Sequence, residues 1–448
     1  MNLSERLENV AVVGAAGKMG SGISLLLANE MTRMMLSPEG RGKTIRLSLI
    51  DRDHTVLDGL LQYLQSQLLK LAEKQSNLLR ELYAERKDFV ENRDMIQAFM
   101  ADAMRIVRPS DDLKAAAGAT VIFEAVNENE DLKVDLLSKV RDIAHPDAWY
   151  MTNTSSIPIG SLSKRLELQG RTVGYHFYNP PAVQKLLEFI TCDDTQPELK
   201  EGGLELAKRL GKKVFPSADV AGFIGNGHFM RDGLHAIATA DTLRAEGDSY
   251  AAALYKVNRI SQDWLLRPMG IFQLIDYVGV DVFKFILDVM NRYLPGQGLQ
   301  SAFIDTLFER KVLGGQNPNG SQKDGILRYA KGRPAAIYDL DAGDYVALDP
   351  NGWTASADEQ LGALPEGFRP WKALLMAKDR KEALAAHFQD LSQMDSLGSR
   401  LGIDYLKASK EIGEKLVSDG VATSVEDVNG VLTNGFYHLY GPVNEYAG

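Results

Sequence analysis

A strand, a glycine-rich turn and a helix follow one another near the N-terminus, and this run constrains the fold most strongly. Residues 10–13 are predicted to form a buried strand, and an apolar helix follows the turn. Glycine lets the backbone approach a pyrophosphate, whose charge then lies at the positive N-terminus of the helix. We therefore expect a nucleotide-binding α/β domain in which Gly14, Gly17, Met19 and Gly20 contact the cofactor.

The second predicted strand, residues 44–50, ends at Asp51. An acidic residue at this position accepts a hydrogen bond from the adenosine ribose 2′-hydroxyl, which favours NAD over NADP. Arg52 keeps the alternative open, because an arginine there can accommodate a 2′-phosphate. The polar residues 37–43 are interpreted as an inserted loop that lengthens the separation between the glycines and Asp51.

Polar residues also collect after two predicted strands in the middle of the chain, residues 149–152 and 171–175. Ser155, His176 and Asn179 are then expected just past the strand ends, where open parallel sheets present catalytic groups. Each residue alone has a structural interpretation as a turn or a buried histidine. Their close spacing, together with the glycine turn, favours an active site.

Glu188 lies in the apolar run 186–190, where an unpaired carboxylate costs several kcal/mol. It needs a charged or hydrogen-bonding partner. His176, twelve residues earlier, is the nearest candidate. The sequence therefore predicts a buried pair between these two side chains.

Four motifs carry a resemblance to a known family: Asn153-Thr-Ser-Ser156, His176-Phe-Tyr-Asn-Pro180, Lys185-Leu-Leu-Glu188 and Gly222-Phe-Ile-Gly-Asn226. Together they resemble the L-3-hydroxyacyl-CoA dehydrogenases over residues 10–281. The resemblance implies an NAD-dependent enzyme that interconverts (S)-3-hydroxyacyl-CoA and 3-ketoacyl-CoA. It also implies an acyl-CoA substrate.

The same resemblance implies roles for the polar residues. His176 acts as general base in oxidation and general acid in reduction, because histidine titrates near neutrality. Glu188 orients the ring and stabilises the imidazolium, while Ser155 and Asn226 bind the reacting oxygen.

Further residues are expected at the cofactor. Glu128 and Lys133 line the nicotinamide-ribose side, next to Ser155 and Asn179. The alternative interpretation of Glu128 and Lys133 is an acidic helix start and a solvated lysine.

Residues 55–107 have leucines at three- and four-residue steps, which predicts a paired helical arm. In the family this region contacts the CoA nucleotide, so the resemblance makes Lys70, Lys74 and Arg80 candidates for binding its phosphates. The alternative interpretation of each residue alone is a solvated side chain on an exposed helix face.

The expected fold class is α/β: a Rossmann-type doubly wound sheet, followed by a mostly α-helical domain with a second helical repeat. The domains are predicted as residues 1–216, 217–341 and 342–448. The last domain combines a polar linker, residues 342–367, with a second copy. The repeat rests on a loose match between residues 243–279 and 416–448, and it resembles a duplication in longer family members. The chain is expected to be monofunctional, and a monomer and a homodimer both stay open.

The whole chain sets further limits. Its 448 residues allow two or three domains, and a net charge of −10 argues against nonspecific binding to nucleic acid or a membrane surface. The single cysteine, Cys192, permits no internal disulfide and is interpreted as a small buried residue. The N-terminus shows neither a secretory nor a transit pattern, and no apolar run is long enough to span a membrane, so a cytoplasmic protein is expected. No residue cluster has the spacing of metal ligands.

Two other functions compete with this one. A dehydrogenase of a free hydroxy acid would keep the histidine and glutamate but lose the CoA site, and the long arm argues against it. A catalytically silent nucleotide-binding or structural protein is opposed by the complete set Ser155, His176, Glu188 and Asn226.

Overall fold

The computed structural model describes residues 1–317 and 320–446. The chain forms two compact units, residues 1–219 and 220–448. The first unit is built on a sheet with the strand order β3-β2-β1-β4-β5-β6-β7-β8. The strands are β1 (Asn9–Val13), β2 (Arg46–Ile50), β3 (Val107–Ser110), β4 (Val121–Glu124), β5 (Trp149–Thr152), β6 (Thr172–Phe177), β7 (Leu186–Thr191) and β8 (Lys213–Ala218).

Helices cover this sheet. They are α1 (Leu3–Arg6), α2 (Lys18–Leu36), α3 (His54–Lys74), α4 (Ser76–Leu82), α5 (Asn92–Ile106), α6 (Glu130–Arg141), α7 (Ile159–Arg165) and α8 (Pro197–Arg209). Strands β3, β2, β1, β4, β5 and β6 are parallel, and the chain reverses its direction of winding between β1 and β4. In open α/β sheets the ligand binds at the carboxyl ends of the strands at such a switch point. The predicted Rossmann-type fold class is confirmed.

The strand that contains His176 differs from its prediction. It was expected to end at Tyr175, but β6 continues to Phe177, so His176 lies within the strand rather than past its end. The next strand, β7, runs antiparallel to β6 and places Glu188 directly opposite His176. The extension follows from this pairing, because the ladder to β7 supplies hydrogen bonds that a strand read in isolation does not show.

The predicted paired helical arm consists of three helices, α3, α4 and α5, and residues 83–91 between α4 and α5 are non-helical. Its leucine periodicity is real. Leu57, Leu60, Leu64 and Leu68 of α3 are buried, and α3 packs against α2 and α5. The apolar face of the arm therefore joins the core of the first unit, and its lysines lie on the outer face.

The second unit is mainly helical. Its helices are α9 (Gly225–Ala245), α10 (Tyr250–Arg259), α11 (Ile271–Val278), α12 (Val280–Tyr293), α13 (Ala302–Glu309), α14 (Trp353–Leu361), α15 (Trp371–Leu375), α16 (Arg380–Gln393), α17 (Leu397–Ser418) and α18 (Val425–Gly435). Its strands are β9 (Leu327–Ala330), β10 (Arg333–Asp339) and β11 (Asp344–Ala347), which form an antiparallel sheet.

This small sheet was not predicted. Lys331 and Gly332 connect β9 to β10, and both have positive φ, 50° and 75°, as two-residue hairpin turns require. The segment expected to be a polar linker, residues 342–367, contains β11 and α14 and is thus structured. Short strands with mixed polarity are easily mistaken for a linker, because only their pairing shows them to be strands.

Residues from both predicted helical copies contribute to one hydrophobic core cluster, which includes Phe229, Trp264, Phe388 and Tyr405. At Gly398 an added Cβ would lie 2.6 Å from the Trp264 ring, so a side chain there would force α17 away from this indole. The internal repeat itself stays a prediction, and its last two residues, Ala447 and Gly448, lie outside the described residues. Within the described ranges, none of the helices is long and apolar enough to cross a membrane.

Candidate active site

The glycine turn after β1 is shaped by close backbone contacts. Gly14 has φ of +80°, and a Cβ there would lie 2.7 Å from the Ala125 carbonyl oxygen. A Cβ on Gly20 would lie 2.0 Å from the Gly14 carbonyl oxygen, so the first turn of α2 lies directly against the loop. Gly17 is the exposed N-cap of α2 and has no side chain to cover the helix N-terminus. Met19 lies half-buried in the first turn of α2. This arrangement fits a bound pyrophosphate.

Beside the turn lies a cavity of about 590 Å³, lined by residues at the carboxyl ends of β1, β2 and β4. Asp51 is in its wall. One carboxylate oxygen of Asp51 accepts from the Ala16 amide at 2.9 Å, and the other accepts from the Arg52 amide at 2.8 Å. Each oxygen retains a lone pair that can accept from a ribose hydroxyl. The cavity therefore suits a dinucleotide that has no 2′-phosphate next to this carboxylate.

Glu128 organises the turn formed by residues 153–156. Its Oε1 accepts hydrogen bonds from the amides of Ser155 and Ser156, at 2.7 and 3.1 Å, and from the Thr154 hydroxyl at 2.6 Å. The Ser155 hydroxyl also donates to it, at 3.1 Å. One carboxylate thus fixes the position of Ser155, which the sequence named as a site residue without showing what positions it.

Lys133 lies beneath Glu128 and is 1% exposed. Its ammonium contacts Glu124 Oε1 at 2.7 Å and Glu128 Oε2 at 3.2 Å. Burial alone would lower the pKa of Lys133, but the two carboxylates outweigh it and raise the pKa above its usual range. Burial likewise acts to raise the pKa of Glu128, and Lys133 with the turn donors lowers it. Both groups are therefore ionised at neutral pH.

The role of Glu124 in this cluster was missed by the sequence analysis. It is the last residue of β4, and it also accepts from the Val126 amide at 2.7 Å and from the Thr152 hydroxyl. A signal was available, because a carboxylate at the end of a fully buried strand needs a cation. The contact of Lys133 with the nicotinamide ribose stays a prediction. In the structure its ammonium lies on the two glutamates.

His176 and Glu188 are in direct contact across β6 and β7. His176 Nδ1 lies 2.9 Å from Glu188 Oε2. The histidine is 7% exposed and the glutamate 0%, so the pair is shielded from bulk water. The Asn153 side-chain oxygen accepts from the Phe177 amide at 2.9 Å. This bond ties the turn that carries Ser155 to the strand that carries His176.

Tyr178 is the third residue of the motif His176-Phe-Tyr-Asn-Pro180, and the sequence predicts no role for it. Its hydroxyl donates to Glu188 Oε2 at 2.8 Å, the same oxygen that His176 contacts. The two rings are neighbours, with centroids 4.8 Å apart. Tyr178 directly follows β6, which ends at Phe177, so its position beside Glu188 depends on the turn after the strand and could not be predicted from strand periodicity.

The remaining predicted residues are placed as follows. Asn179 is half-buried one residue after Tyr178, and Asn226 is the second residue of α9 in the second unit. Lys70 and Lys74 are exposed on α3. Arg80 donates to the Asn92 side chain at 3.1 and 2.8 Å.

The sequence predicts that Cys192 is buried, and this prediction is wrong. The residue is only partly buried. The reason is its position just past the end of β7, where its thiol lies 3.0 Å from an Asp194 carboxylate oxygen. Partial burial raises the pKa of the thiol to about 12.

The doubly wound sheet, the glycine turn and the Asp51 cavity together define a dinucleotide-binding protein. Two family models match the chain: the NAD binding domain of 3-hydroxyacyl-CoA dehydrogenase over residues 9–220, and the C-terminal domain of the same enzyme over residues 244–324. The chain belongs to the 3-hydroxyacyl-CoA dehydrogenase family. It is an oxidoreductase, and its cofactor is NAD.

Individual relatives agree with this assignment. A probable 3-hydroxyacyl-CoA dehydrogenase of Caenorhabditis elegans is 29% identical over 70% of this chain and 95% of its own length. The mitochondrial hydroxyacyl-coenzyme A dehydrogenase of Rattus norvegicus is 28% identical over 71% of this chain and 91% of its own. The crystal structure of the 3-hydroxybutyryl-CoA dehydrogenase of Escherichia coli shares the fold, with a TM-score of 0.61 at 18% identity, over 98% of this chain and 90% of that one.

Proposed function

We propose that this protein oxidises (S)-3-hydroxyacyl-CoA to 3-ketoacyl-CoA, or catalyses the reverse reduction, with His176 as the acid–base group. The observation that carries the proposal is the buried contact between His176 Nδ1 and Glu188 Oε2. A carboxylate with no exposed surface, placed opposite a histidine, is arranged to stabilise a positive charge on the ring. Such a charge forms when the ring takes a proton from an alcohol.

The proton transfer follows from this geometry. Glu188 engages Nδ1, so Nε2 is the nitrogen that takes the hydroxyl proton of the substrate. Bound NAD supplies the hydride acceptor, the nicotinamide C4. In the reduction His176 returns the proton to the new alkoxide oxygen. Glu188 contacts the ring throughout this exchange and compensates the charge of the imidazolium.

Ser155 and Asn226 are proposed to bind the reacting oxygen. For Ser155 the support is its fixed position, since Glu128 accepts from both its amide and its hydroxyl. The single hydroxyl proton of Ser155 is donated to Glu128, so its oxygen accepts from the substrate hydroxyl, and donation to a keto oxygen requires the hydroxyl to rotate away from Glu128. The cluster of Glu124, Lys133 and Glu128 then acts indirectly, because it sets where the turn lies.

The CoA carrier is proposed to lie along the outer face of α3, with Lys70 and Lys74 near its phosphates. Both lysines are exposed and are four residues apart, so they lie on one side of the helix. A polyanionic carrier explains why a chain with a net charge of −10 would present cations there.

The test compares NADH oxidation with acetoacetyl-CoA and with free acetoacetate. We expect the thioester to be reduced much faster, because the free acid lacks the carrier. The variant K70Q/K74Q is expected to raise KM for acetoacetyl-CoA and to leave the slow reaction of acetoacetate unchanged. Equal rates for the two substrates would refute the CoA assignment. Full activity of His176→Gln would refute the proposed acid–base role.

A further inference from the structure

Tyr178 and His176 contact one oxygen of Glu188, at 2.8 and 2.9 Å. We propose that Tyr178 is a positioning residue for this pair: its hydroxyl fixes the Glu188 carboxylate and takes up part of the negative charge that would otherwise face His176. The proposal rests on the proposed function, in which His176 exchanges a proton with the substrate.

The backbone places the three side chains together. His176 is opposite Glu188 in the antiparallel ladder, and Tyr178 is the first residue after β6, where its hydroxyl reaches the same carboxylate. The Tyr178 and His176 rings are inclined at 41° with centroids 4.8 Å apart. The phenol therefore approaches the carboxylate beside the imidazole, and both rings restrict how Glu188 can turn.

The phenol is a permanent donor in this setting. Burial, and then the charge of Glu188, raise the pKa of Tyr178 well above its ordinary value. It thus keeps its proton across the whole pH range in which a histidine titrates. Glu188 Oε2 has lone pairs for two donors, and the phenol occupies one of them at every working pH.

The consequence concerns the charged form of His176. A carboxylate oxygen that already accepts a hydrogen bond offers less compensation to an imidazolium than one that accepts none. Tyr178 thus makes the neutral ring available at a lower pH, which extends oxidation toward acidic conditions. Tyr178 thus holds the Glu188 carboxylate in position and reduces the negative charge that Glu188 presents to His176.

Other ionisable groups on neighbouring strands are arranged differently. Lys213 of β8 is in register with Leu186, on the same face as Glu188 but exposed. The Lys212 ammonium lies 5.2 Å from the Phe177 ring centroid, on the opposite face, and donates to the Gln184 carbonyl at 2.8 Å. On β5, Tyr150 is buried and stays protonated, since burial raises its pKa to about 12. All of these groups are present in wild type and in Tyr178→Phe, and Tyr150 changes only in its own control variant.

The experiment measures kcat/KM for oxidation and reduction from acidic to alkaline pH in the full-length protein, for wild type and Tyr178→Phe. The matched control is Tyr150→Phe, which removes a buried hydroxyl that has no hydrogen-bond partner among the described residues. For Tyr178→Phe we expect the acidic limb of oxidation and the alkaline limb of reduction to move upward together by on the order of half a pH unit or more. NADH affinity and the control profile stay unchanged. Coincident profiles of wild type and Tyr178→Phe would overturn the proposal.

A second pair of variants tests whether the phenol acts through Glu188. In a Glu188→Gln background there is no carboxylate charge to share, so adding Tyr178→Phe should shift the residual profile no further. An equal shift in both backgrounds would show that Tyr178 acts directly and would refute a positioning role.

The two proposals fail separately. If His176→Gln is active, the proposed function is refuted. If His176→Gln is inactive but the pH profile of Tyr178→Phe coincides with that of wild type, only the proposed role of Tyr178 is refuted.

Discussion

The two units each bury a carboxylate whose oxygen is shared by a tyrosine hydroxyl and a basic side chain. In the first unit Glu188 Oε2 contacts Tyr178 and His176. In the second, Asp232 Oδ2 accepts from Tyr405 at 3.0 Å and from Arg267 at 2.6 Å. The local arrangement is nearly the same, and the basic group is what differs.

That difference separates a chemical site from a structural one. Arg267 cannot lose its proton, and it contacts both Asp232 oxygens, the second at 3.1 Å. Its guanidinium also lies 4.9 Å from the Tyr405 ring centroid. The Asp232 network therefore joins α9 to α17 with fixed charges. A histidine, unlike an arginine, can gain and lose a proton, so the same geometry at His176 suits the proton transfer proposed above. Burial of a charged cluster is thus not by itself a sign of function.

The largest expected effect breaks the histidine site. Glu188→Gln keeps the side-chain shape but removes the charge that stabilises imidazolium, so kcat is expected to fall by on the order of 10² or more with NADH binding nearly unchanged. His176→Gln is expected to do at least as much. Steady-state kinetics of the double variant check whether the two act as one unit, in which case it is little worse than either single change. Strictly multiplicative losses would contradict a joint role.

Breaking the second network affects folding instead. Arg267→Met leaves Asp232 buried without its cation, so we expect a loss of about 3–5 kcal/mol in the free energy of unfolding. Urea titration measures it, and the matched control is the double variant D232L/R267M, which removes both charges and is expected to lose less. An Arg267→Met protein as stable as wild type would show that the network contributes no stability.

The Asp232 network is also expected to make the stability of the protein depend on pH under acidic conditions. Burial would raise the pKa of Asp232, but Arg267 outweighs it and holds the pKa well below its usual range. A carboxyl with a depressed folded-state pKa stabilises fully above its unfolded value, about 3.9, and loses this contribution as the pH falls further. Thermal unfolding at stepwise lower pH is expected to show a smaller acid-induced loss in D232L/R267M than in wild type. If the stability of wild type and of D232L/R267M falls equally with pH, groups other than Asp232 cause the loss of stability in acid.

The smallest effect concerns Asp51, a carboxylate that accepts two backbone amides. Unlike Glu188 and Asp232, Asp51 contacts no basic side chain in these bonds, and each of its oxygens has a second lone pair that can accept from a ligand hydroxyl. Asp51→Ala is expected to weaken NAD binding by about tenfold, since a hydrogen bond to a charged group contributes about 1.5–3 kcal/mol. NADP binding is expected to change less, because the variant also removes repulsion of the 2′-phosphate. Titration with both cofactors checks this, and a native preference for NADPH would show that Arg52 decides specificity instead.

The sequence by itself determined most strands of the large sheet, the glycine turn and the position of Asp51 directly after β2, whereas β3 was not predicted. These features are local. Glycine spacing and apolar runs report how a short segment folds, so Gly14, Gly20 and the buried strands could be predicted without knowledge of their neighbours. The motif resemblance likewise identified His176 and Glu188 as residues of one site.

Beyond the pair of His176 and Glu188, which the sequence predicted, tertiary structure decided which side chains meet. The extension of β6 depends on its antiparallel pairing with β7, and the small sheet in the second unit depends on the pairing of β9, β10 and β11. The contacts of Lys133 with Glu124 and Glu128, and of Tyr178 with Glu188, depend on strand ends and ladder register. Register is set by packing between distant segments, and a shift of one residue would turn Glu124, His176 or Glu188 to the opposite face of the sheet. Local sequence patterns do not contain that information.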